Sequence, residues 1–531
     1  MAGNWTSSIC AEERGLLFMY RSKRSKVPLL AGVCALMAVS AACSDKQEGT
    51  GAAQEAAANA REGPVNLSLA YYTGWNTPSI AREDNPSLKY VEDKLGIRMK
   101  LTAATPEIYK EKLKVMVASG DVPDAFAWTD MDDFIVKMIK SGVVVPLDKY
   151  VDEYPNLKKE KPLFLTKYQG SIYGLTSVRN PVASQDIPLI RQDWLDNLGL
   201  KAPQTLDELY EVAKAFTKND PDKNGKNDTY GLQLGNMSAG ISIRGTTGVT
   251  QALGLKHFWV KEGDKVIPRF ETTAFKQYLA WMSKAFAEGL IDPDFAVSDG
   301  PTADSKLFRK GQAGIMFNFM TRIYDFENNF QKTNPGAKLV PLEAIKGPNG
   351  DRGITARVDR GGIFISKKAA DDPKKIKKIM EWLDYGASAE GGIFWNYGVE
   401  GVHYKRSADG KIEPDTKIFE RDMPRTFTFT LPVQSIDELY IFPQNTKEAQ
   451  DIVVKGHKMN EPYLVMDETQ LLFSPTYAKY SAEAEKFIQD NTVKAIMGQL
   501  QVSQWDSVVK NWYDRFEGEK IVKEIAEAMK K

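Results

Sequence analysis

The feature that most constrains the fold is a loop of oxygen-bearing residues that directly follows a well-capped helix. Candidate ligands alternate along this loop: Asp220, Asp222, Asn224 and Asp228 offer side-chain oxygens, and Lys226 offers a backbone carbonyl. Gly225 occupies the position at which a calcium loop of the EF-hand type makes its sharp turn. Oxygen ligands at this spacing favour calcium, so the loop predicts a bound calcium ion.

The twelfth position of the loop departs from the calcium pattern. Gly231 stands there instead of the glutamate that closes an EF-hand site, so another ligand or water must complete the coordination. We therefore expect a structural ion and not a calcium sensor. The alternative is a solvated turn without an ion, because Asx-rich turns share this composition.

The helix before the loop has a clear start signal. Thr205 and Glu208 have the spacing of a capping box, just after Pro203. Apolar residues then recur at helical spacing and form one face, at Leu206, Leu209, Tyr210, Ala213 and Phe216. The pattern predicts a helix that packs into a core, with the calcium loop attached to its end.

Length and composition indicate a large globular protein. The 531 residues are 42% hydrophobic and 26% charged, which is enough for at least two globular units. The formal charge is zero, and the chain after Ala42 holds 65 basic and 68 acidic residues. Because this balance provides no basic footprint, it argues against a nucleic acid as partner.

Cysteine and histidine usage limits the possible chemistry. The three cysteines are Cys10, Cys34 and Cys43, so the chain after residue 43 forms no disulfide and has no thiol nucleophile. The three histidines are far apart in the sequence and lack the spacing of a histidine metal site. Thiol catalysis and histidine-bound zinc are therefore not expected in the folded part.

Residues 1–42 are organised as a signal peptide. Translation is expected to start at Met19, because four basic residues follow it and an apolar run from Val27 to Ala42 comes next. The small residues before Cys43 suit lipoprotein cleavage, although Ser40 replaces the usual leucine, and Cys43 is predicted to be the lipidated first residue. An uncleaved membrane helix is the alternative, but about 16 apolar residues fall short of the roughly 20 that a span needs.

The mature chain is expected to begin with a flexible tether and to continue as an α/β fold. Residues 43–63 contain almost no large apolar side chain, which is typical of a tether behind a lipid anchor. Strands are then predicted at Val65–Ala70 and Ala125–Trp128, with a helix at Pro86–Leu95 between them. Strands that alternate with helices predict a mainly parallel sheet.

Four further strings follow one another along the chain in a specific order. They are VMVASGDVPDAF at 115–126, GLIDPDF at 289–295, FRKGQAGIMFNF at 308–319 and FWNYGVEGVHY at 394–404. Together with the calcium loop, they resemble the extracellular solute-binding proteins of carbohydrate ABC transporters. The similarity is to the lipoprotein branch that includes alginate-binding and LipO/LplA-type proteins, and it covers nearly the whole mature chain.

The resemblance implies a two-lobe fold of the periplasmic-binding-protein type, the type II or Venus-flytrap class, with a hinge between the lobes. It places residues 64–180 and about 345–405 in the N-terminal lobe. The C-terminal lobe then contains residues 181–344 and about 406–531. The expected protein is a monomer that closes on its ligand and catalyses no reaction.

The resemblance also implies the function. Such proteins capture an oligosaccharide and deliver it to the permease subunits of an ABC importer. The protein is therefore expected at the extracellular face of the cell membrane, held by its lipid anchor. The alternative is a secreted glycoside hydrolase, which needs two carboxylates roughly 5 to 9.5 Å apart; no diagnostic pair is visible in the sequence.

Seven residues are candidates for contact with the sugar: Tyr72, Trp75, Trp128, Asn318, Trp395, Tyr397 and Glu400. Aromatic rings stack on the apolar faces of sugar rings, and amides and carboxylates hydrogen-bond to sugar hydroxyls. Trp75 and Trp128 follow predicted strands, and ligands of open α/β sheets bind beyond the carboxyl ends of strands. For Asn318 and the residues after 394, a place beside the cleft is implied by the resemblance. For each tryptophan, core or interface packing is the alternative.

The lipid anchor is directly testable. Cys43→Ala should abolish metabolic labelling with palmitate and release the protein from the membrane fraction, because the acylated side chain is removed. Cys34→Ala, which alters the apolar run but not the cleavage site, should retain both properties. A Cys43→Ala protein that labels and fractionates like the unaltered chain would show that Cys43 is not the acylated residue.

Overall fold

The structure is a computed structural model, and it describes most of the chain after residue 62. The described residues are 63–72, 84–129, 131–160, 165–175, 186–235, 243, 245–298, 303, 309–356, 361–408, 410, 412–422, 445–467, 469 and 472–530. The predicted signal peptide, Cys43, the tether up to residue 62 and the predicted ligand residue Trp75 lie outside these ranges. Within them, no helix has both the length and the hydropathy that crossing a membrane requires.

The chain builds two lobes in four passes, and the first pass starts the N-terminal lobe. Its elements are β1 (Val65–Tyr72), α1 (Pro86–Leu95), β2 (Ile97–Ala104), α2 (Pro106–Ala118), β3 (Ala125–Trp128), α3 (Asp133–Lys140), α4 (Asp148–Val151), α5 (Pro155–Glu160), β4 (Leu165–Tyr168) and β5 (Ser171–Leu175). Asn85 caps α1 with its side chain, and Pro86 stands in the first turn. The predicted helix at Pro86–Leu95 and the predicted strand at Ala125–Trp128 are confirmed.

The second pass builds most of the C-terminal lobe. Its elements are β6 (Ile187–Arg191), α6 (Gln192–Leu198), α7 (Leu206–Lys218), β7 (Tyr230–Leu232), α8 (Thr247–Ala252), β8 (Trp259–Glu262), β9 (Lys265–Pro268), α9 (Thr273–Ala287), β10 (Ala313–Asn318), α10 (Arg322–Phe326), β11 (Leu339–Pro341) and β12 (Ile354–Ala356). The predicted capping box is present at the start of α7: Thr205 accepts from the Glu208 backbone, and the Glu208 side chain accepts from the Thr205 backbone.

The third pass returns to the N-terminal lobe, and the fourth completes the C-terminal lobe. The third contains β13 (Gly362–Ile365), α11 (Lys367–Ala370), α12 (Pro373–Gly386), α13 (Ala389–Tyr397), β14 (Tyr404–Arg406), β15 (Ile412–Pro414) and α14 (Thr416–Asp422). The fourth contains α15 (Lys447–Asn460), β16 (Leu464–Met466), α16 (Pro475–Ile496), α17 (Trp505–Arg515) and α18 (Gly518–Ala528).

The N-terminal sheet has the strand order β2-β1-β3-β13-β5-β4. β1 is parallel to both β2 and β3, whereas β13 is antiparallel to both β3 and β5. The predicted parallel arrangement is therefore confirmed for β2-β1-β3 and wrong for the other strands. The reason is topological, because β13 returns from the other lobe and starts at the end of the sheet where β3 and β5 finish.

Alternating residues of the N-terminal sheet face two separate helical layers. Leu67 and Leu69 pack in a cluster that includes Ile379 and Leu383 of α12. Ala70 belongs to the cluster on the other face, which is formed with residues of α2 and α3. Both faces of the sheet are therefore buried, as is usual when helices cover a parallel sheet on each side.

The C-terminal sheet has the strand order β11-β6-β10-β7. Beneath it, the Trp194 and Phe216 rings pack edge to face with centroids 5.2 Å apart. Gly314 of β10 must lack a side chain, because a Cβ there would lie 2.1 Å from the Phe216 ring. This contact brings α7 against the sheet and thereby sets the position of the loop that follows α7.

The lobe boundaries lie later in the chain than predicted. β12 pairs with β16, so residues up to 356 belong to the C-terminal lobe and not to the N-terminal lobe from about 345. Phe419 packs against the N-terminal core, and the Asn85 side chain donates to the Asp422 carbonyl at 2.7 Å. Residues 406–422 therefore belong to the N-terminal lobe. The prediction missed both shifts because these contacts join segments far apart in sequence.

Candidate functional site

Three strand ends of the N-terminal sheet meet where the chain passes between the lobes. The parallel strands β1 and β3 end at Tyr72 and Trp128. β13 starts at Gly362, which pairs with Trp128, and its next residue, Ile363, pairs with Leu175 at the end of β5. The chain therefore leaves the N-terminal lobe and re-enters it at the same end of the sheet.

The C-terminal sheet has a corresponding end. β6 is the first strand after the crossing, and its first residue, Ile187, lies opposite Asn318 in the antiparallel pair of β6 and β10. Asn318 therefore lies at the end that the chain enters from the N-terminal lobe. We term the two sheet ends that the crossings connect, carrying Tyr72, Trp128 and Asn318, the cleft ends.

Trp128 is buried at the N-terminal cleft end, with 1% of its surface exposed. Its ring centroid lies 4.7 Å from that of Phe134 and 6.4 Å from that of Tyr109. The Lys110 ammonium lies 5.8 Å from the same ring. Because the indole is covered in this conformation, its contacts favour the packing alternative, and stacking on a sugar would require Phe134 or Lys110 to move.

Tyr72 is the more accessible aromatic residue at this end. It is half-buried, and its ring lies edge-on to Tyr109 with centroids 6.0 Å apart. The Tyr109 hydroxyl donates to the carbonyls of Ala70 and Ala127, at 3.0 and 2.7 Å. Burial raises the pKa of Tyr109 well above its usual value, so this hydroxyl remains a donor. Tyr72 is thus supported by a ring that is fixed to both β1 and β3.

Asn318 is almost fully buried at the C-terminal cleft end. Its Oδ1 accepts from the Phe319 backbone at 2.8 Å and from Arg322 Nε at 3.4 Å. A cavity of about 10 Å³ lies beside it and is lined in part by Gln233 and Gly245. That volume holds about one water molecule. The site therefore offers an oriented amide next to a guanidinium group.

Arg322 was not predicted as a site residue. It follows the strand end by four positions and also pairs with Asp325. No sequence pattern distinguishes it from a surface arginine, because its proximity to Asn318 arises from the turn between β10 and α10. The available signal was its position shortly after a strand end that was already a candidate.

Tyr397 and Glu400 lie together on a turn of the third pass. Glu400 is exposed and accepts from the Tyr404 hydroxyl at 3.3 Å and from Arg406 Nε at 3.2 Å. The Tyr397 ring lies 6.2 Å from the Tyr404 ring. These contacts hold both predicted residues in one accessible cluster on the N-terminal lobe.

Trp395 has a different environment from the one predicted. It packs against Leu88 of α1, which Met99 and Leu101 in the interior of β2 also contact, and its ring lies 4.7 Å from Phe394. These are contacts between helices and the middle of a strand, not contacts at a cleft end. They favour the packing alternative for Trp395, because α13 turns this side of the helix toward α1.

A buried polar cluster fixes the third pass to the start of α1. His403 is fully buried; its Nδ1 accepts from the Val399 backbone at 2.9 Å, and its Nε2 lies 3.4 Å from Ser87 Oγ and 3.6 Å from Asp422 Oδ2. Arg421 Nε donates to Asp422 at 2.7 Å. Burial lowers the pKa of His403, although the Asp422 charge opposes this shift.

The cluster of Ser87, His403 and Asp422 resembles a hydrolase triad in composition but not in geometry. In a triad, the serine and the carboxylate use different ring nitrogens of the histidine. Here both lie next to Nε2, and Nδ1 is occupied by a backbone N–H. The carboxylate therefore cannot orient the imidazole through Nδ1 while Nε2 takes the serine proton, and the contacts of this cluster are those of a structural hydrogen-bond network.

The loop after α7 brings its acidic residues close together. Asp220 accepts from the backbone N–H groups of Asn224 and Gly225 at 3.1 and 3.0 Å. The Asn224 side-chain nitrogen donates to Asp222 at 2.8 Å and to Asp228 at 3.2 Å. The backbone takes left-handed angles at Asp220 and at Gly225, with φ of 45° and 74°. The amide of Asn224 thus lies between two carboxylates, where a cation would be favourable.

Asp222 is the group in this loop that most needs a partner. Its Oδ1 is buried and has no hydrogen-bond partner among the described residues. Burial, followed by the hydrogen bond and charge of Asp220 and the charge of Asp228, raises the pKa of Asp222. In this conformation, the described residues contain no group of three acidic, cysteine or histidine side chains placed to hold a metal ion. The donor set suits calcium once the Asn224 amide turns its oxygen inward.

The structure explains why the twelfth loop position is glycine. Gly231 lies in β7 against α7, and a Cβ there would be 2.2 Å from the Ala213 carbonyl oxygen. No side chain fits, so a closing glutamate is excluded. β7 begins at Tyr230, which pairs with Ala313 at the start of β10. The loop is therefore roughly 17 Å along the sheet from Asn318 at the other end of β10.

Comparison with known proteins identifies the family. A family model described as bacterial extracellular solute-binding protein matches residues 83–393. The chain belongs to this family of bacterial extracellular solute-binding proteins.

Two relatives from Bacillus subtilis (strain 168) extend the match beyond the family model. Lipoprotein LipO is 31% identical over 454 residues, which cover 82% of this chain and 87% of LipO. The polygalacturonan/rhamnogalacturonan-binding protein YtcQ is 30% identical over 519 residues, covering 95% of this chain and 98% of YtcQ. These matches confirm the predicted family.

A solved structure supports the fold of this solute-binding protein. The alginate-binding protein AlgQ2, in a crystal structure without calcium ion, superposes with a TM-score of 0.66 at 22% identity. The superposition covers 88% of this chain and 99% of AlgQ2. The predicted two-lobe fold is thereby confirmed.

The His403 cluster makes the stability of this solute-binding protein depend on pH. Because the pKa of His403 is lowered on folding, the unfolded chain binds a proton more readily below about pH 6.5. The contribution to stability is full above that pH and is lost progressively as the pH falls below it. His403→Gln should flatten the pH dependence of the unfolding free energy between pH 7 and 5, whereas the control His257→Gln, at a half-exposed site, should not. Equal slopes for all three proteins would contradict this assignment.

Proposed function

We propose that the protein is a receptor that binds an oligosaccharide between its lobes and delivers it to the permease of an ABC importer. The proposal rests on one observation: the chain crosses between the lobes at the cleft ends of both sheets. These sheet ends carry Tyr72 on one lobe and Asn318 with Arg322 on the other. An aromatic face and fixed polar groups on opposite lobes are what sugar recognition requires.

Binding between two lobes requires that the lobes can change their separation. The inter-lobe contact among the described residues includes the Phe473 ring at 5.4 Å from Tyr168 of β4. A small interface between lobes permits hinge motion, whereas a large apolar interface would oppose it. The ligand stabilises the closed form to the extent that it contacts both lobes at once.

The chemical class of the sugar follows from the groups at the cleft ends. Among the relatives, YtcQ is named for polygalacturonan and rhamnogalacturonan, and AlgQ2 is named for alginate. Alginate and polygalacturonan are polymers of uronic acids. The Arg322 guanidinium next to Asn318 provides the cation that a uronate carboxylate pairs with. An acidic oligosaccharide is therefore our first choice, and neutral oligosaccharides are the comparison set.

We infer binding without catalysis. The family is described as solute-binding proteins and not by a reaction. The histidine cluster lacks triad geometry, and Glu400 is engaged by Tyr404 and Arg406. Incubating the purified protein with acidic and neutral oligosaccharides should leave them intact. Hydrolysis products in amounts that increase with protein concentration would instead support the glycosidase alternative.

The proposal includes a lipid anchor at Cys43 and a location at the extracellular face of the cell membrane. An anchored receptor stays near its permease, so each captured sugar has a short distance to travel. Two acyl chains suffice for durable anchoring, since each buried methylene contributes about 0.8 kcal/mol. The protein is proposed to act as a monomer, because one chain supplies both lobes of the binding cleft.

We also propose that the loop at Asp220, Asp222, Asn224, Lys226 and Asp228 holds a structural calcium ion. A bound cation would offset the burial and the neighbouring carboxylate charges that raise the pKa of Asp222, and it would satisfy the unpaired Oδ1 of that residue. The loop lies at the end of the sheet away from Asn318, so the ion would stabilise the packing of α7 and β7. It would not touch the sugar.

The ligand site is tested by replacing the accessible aromatic residue. Tyr72→Ala should weaken oligosaccharide binding by roughly 1 to 3 kcal/mol, about fivefold to more than a hundredfold, because the stacking surface is removed. Tyr154→Ala, which removes a half-buried tyrosine elsewhere on the same lobe, should leave affinity unchanged. Calorimetric titration together with thermal unfolding measures both effects. A folded Tyr72→Ala protein with unaltered affinity would place the sugar elsewhere.

The calcium site is tested by a substitution that removes one carboxylate charge and keeps the size of the side chain. Asp222→Asn should stabilise the calcium-free protein, because it removes a buried charge next to two other carboxylates. The same variant should lose the calcium response, which for the unaltered protein is about 2.7 kcal/mol at one hundred times the dissociation constant. Asp121→Asn, at an exposed aspartate, is the control. Thermal unfolding with and without a chelator measures the calcium response of each protein. An Asp222→Asn protein with a normal calcium response would contradict the site.

A further inference from the structure

A second pocket lies at the end of the N-terminal sheet that is remote from the cleft. It has a volume of about 320 Å³ and lies at the first residues of β1 and β2. We term it the basal pocket, and its lining residues are Asn66, Leu67, Ser68, Arg98, Met99, Lys100, Asp124 and Lys375. Because β1 runs from this pocket to Tyr72, the two sites are separated by roughly 13 to 20 Å of strand.

The base of the basal pocket is a buried ion pair. Asp124 is 1% exposed, and both of its carboxylate oxygens accept from Lys375 Nζ, at 2.8 and 2.9 Å. Its Oδ2 also accepts from the Ser68 backbone at 2.7 Å and from Ser68 Oγ at 3.0 Å. The carboxylate is therefore saturated with donors. The ammonium group has three protons, so it can still donate into the pocket.

The rim of the basal pocket adds two cations, of which Arg98 is paired with acidic residues and Lys100 is not paired with any described residue. Asn66 and Ser68 alternate on β1, and their register partners on β2 are Arg98 and Lys100, so these four side chains project from one face of the sheet. Arg98 interacts with Asp93 at 3.1 Å and with Glu92 at 3.7 Å. Lys100 is exposed and forms no hydrogen bond or ion pair with any residue in the described ranges.

The chemistry of the lining selects a class of ligand. Asn66, Arg98, Lys100 and Lys375 are all hydrogen-bond donors, and the one lining carboxylate is already occupied. A metal ion would find no available carboxylate here, and a sugar would find no aromatic ring among the lining residues. Oxyanions are the ligands that several convergent cationic donors recognise. The volume of about 320 Å³ far exceeds the roughly 10 to 15 Å³ that one water molecule needs, so it accommodates a phosphorylated headgroup.

We propose that the basal pocket binds a phosphate group, supplied by an anionic phospholipid headgroup. The position of the chain favours this source. Val65, the first residue of β1, donates to the Gly96 carbonyl at 3.0 Å next to β2, so the preceding tether leaves the lobe at this pocket. A random-coil chain of about 20 residues, the length predicted for the tether, has an end-to-end distance of about 25 Å and would keep the pocket near the membrane. This choice of source rests on the proposed anchor at Cys43.

The experiment is a calorimetric titration of the purified lipoprotein in a non-ionic detergent. The probes are dihexanoyl phosphatidylglycerol, dihexanoyl phosphatidylcholine and inorganic phosphate. One saturable site for phosphatidylglycerol is expected. Lys100→Gln should weaken binding roughly tenfold, which is typical for the loss of one charge-assisted hydrogen bond. Lys261→Gln, at another exposed strand lysine, should bind normally, and all three proteins should bind oligosaccharide equally.

The outcomes separate the parts of the proposal. Binding of phosphate without either lipid supports the oxyanion site but overturns the lipid source. Equal binding of both lipids overturns the choice of an anionic headgroup, because both lipids carry a phosphate group. Equal affinity of Lys100→Gln and the unaltered protein overturns the site. In that case Lys100 serves only to keep the edge strand β2 from pairing with other chains. Membrane fractionation of Cys43→Ala tests the anchor by itself, so a failed anchor and a failed pocket give different results.

Discussion

The hydrogen bonds of β13 within the N-terminal sheet are the constraint on which the structure depends. β13 pairs with β3 on one side and with β5 on the other, yet it follows them in sequence only after the chain has built most of the second lobe. The N-terminal sheet is therefore incomplete until the chain returns. This requirement forces the crossings to one end of the sheet, and the same end holds Tyr72 and Trp128. The position of the cleft is thus a consequence of strand order.

Buried polar contacts keep the returning segment in place. Asp124 accepts from Lys375 of α12, and the His403 cluster joins the third pass to the start of α1. Both contacts link residues that are more than two hundred positions apart in sequence. Breaking one partner of such a pair leaves an unsatisfied buried group, which costs more than the pair itself contributes. These contacts stabilise the N-terminal lobe, whereas the loop at residues 220–228 belongs to the C-terminal lobe.

Local signals predicted much of the fold. The capping box at Thr205, the helix at Pro86–Leu95 and the strand at Ala125–Trp128 depend on neighbouring residues, and all three were predicted. Contacts between residues far apart in sequence could not be predicted from such local signals. Because β12 pairs with β16, one lobe boundary lies later in the chain than predicted. Trp395, a predicted ligand residue, packs against Leu88 of α1. Arg322 was missed because its relation to Asn318 depends on a turn. The place of Tyr72 after a strand follows from the local sequence pattern, whereas the place of Asn318 beside the cleft was implied by the family resemblance.

The central claim is that an oligosaccharide closes two lobes about the cleft ends. The folded part contains no cysteine, so spin labels can be placed on Lys112→Cys in the N-terminal lobe and Lys332→Cys in the C-terminal lobe. Both positions are exposed. Double electron–electron resonance then measures the distance between the lobes as sugar is added. A second distance population that grows with saturation is predicted, and a distance distribution that stays unchanged at saturating, calorimetrically verified sugar binding would contradict the account.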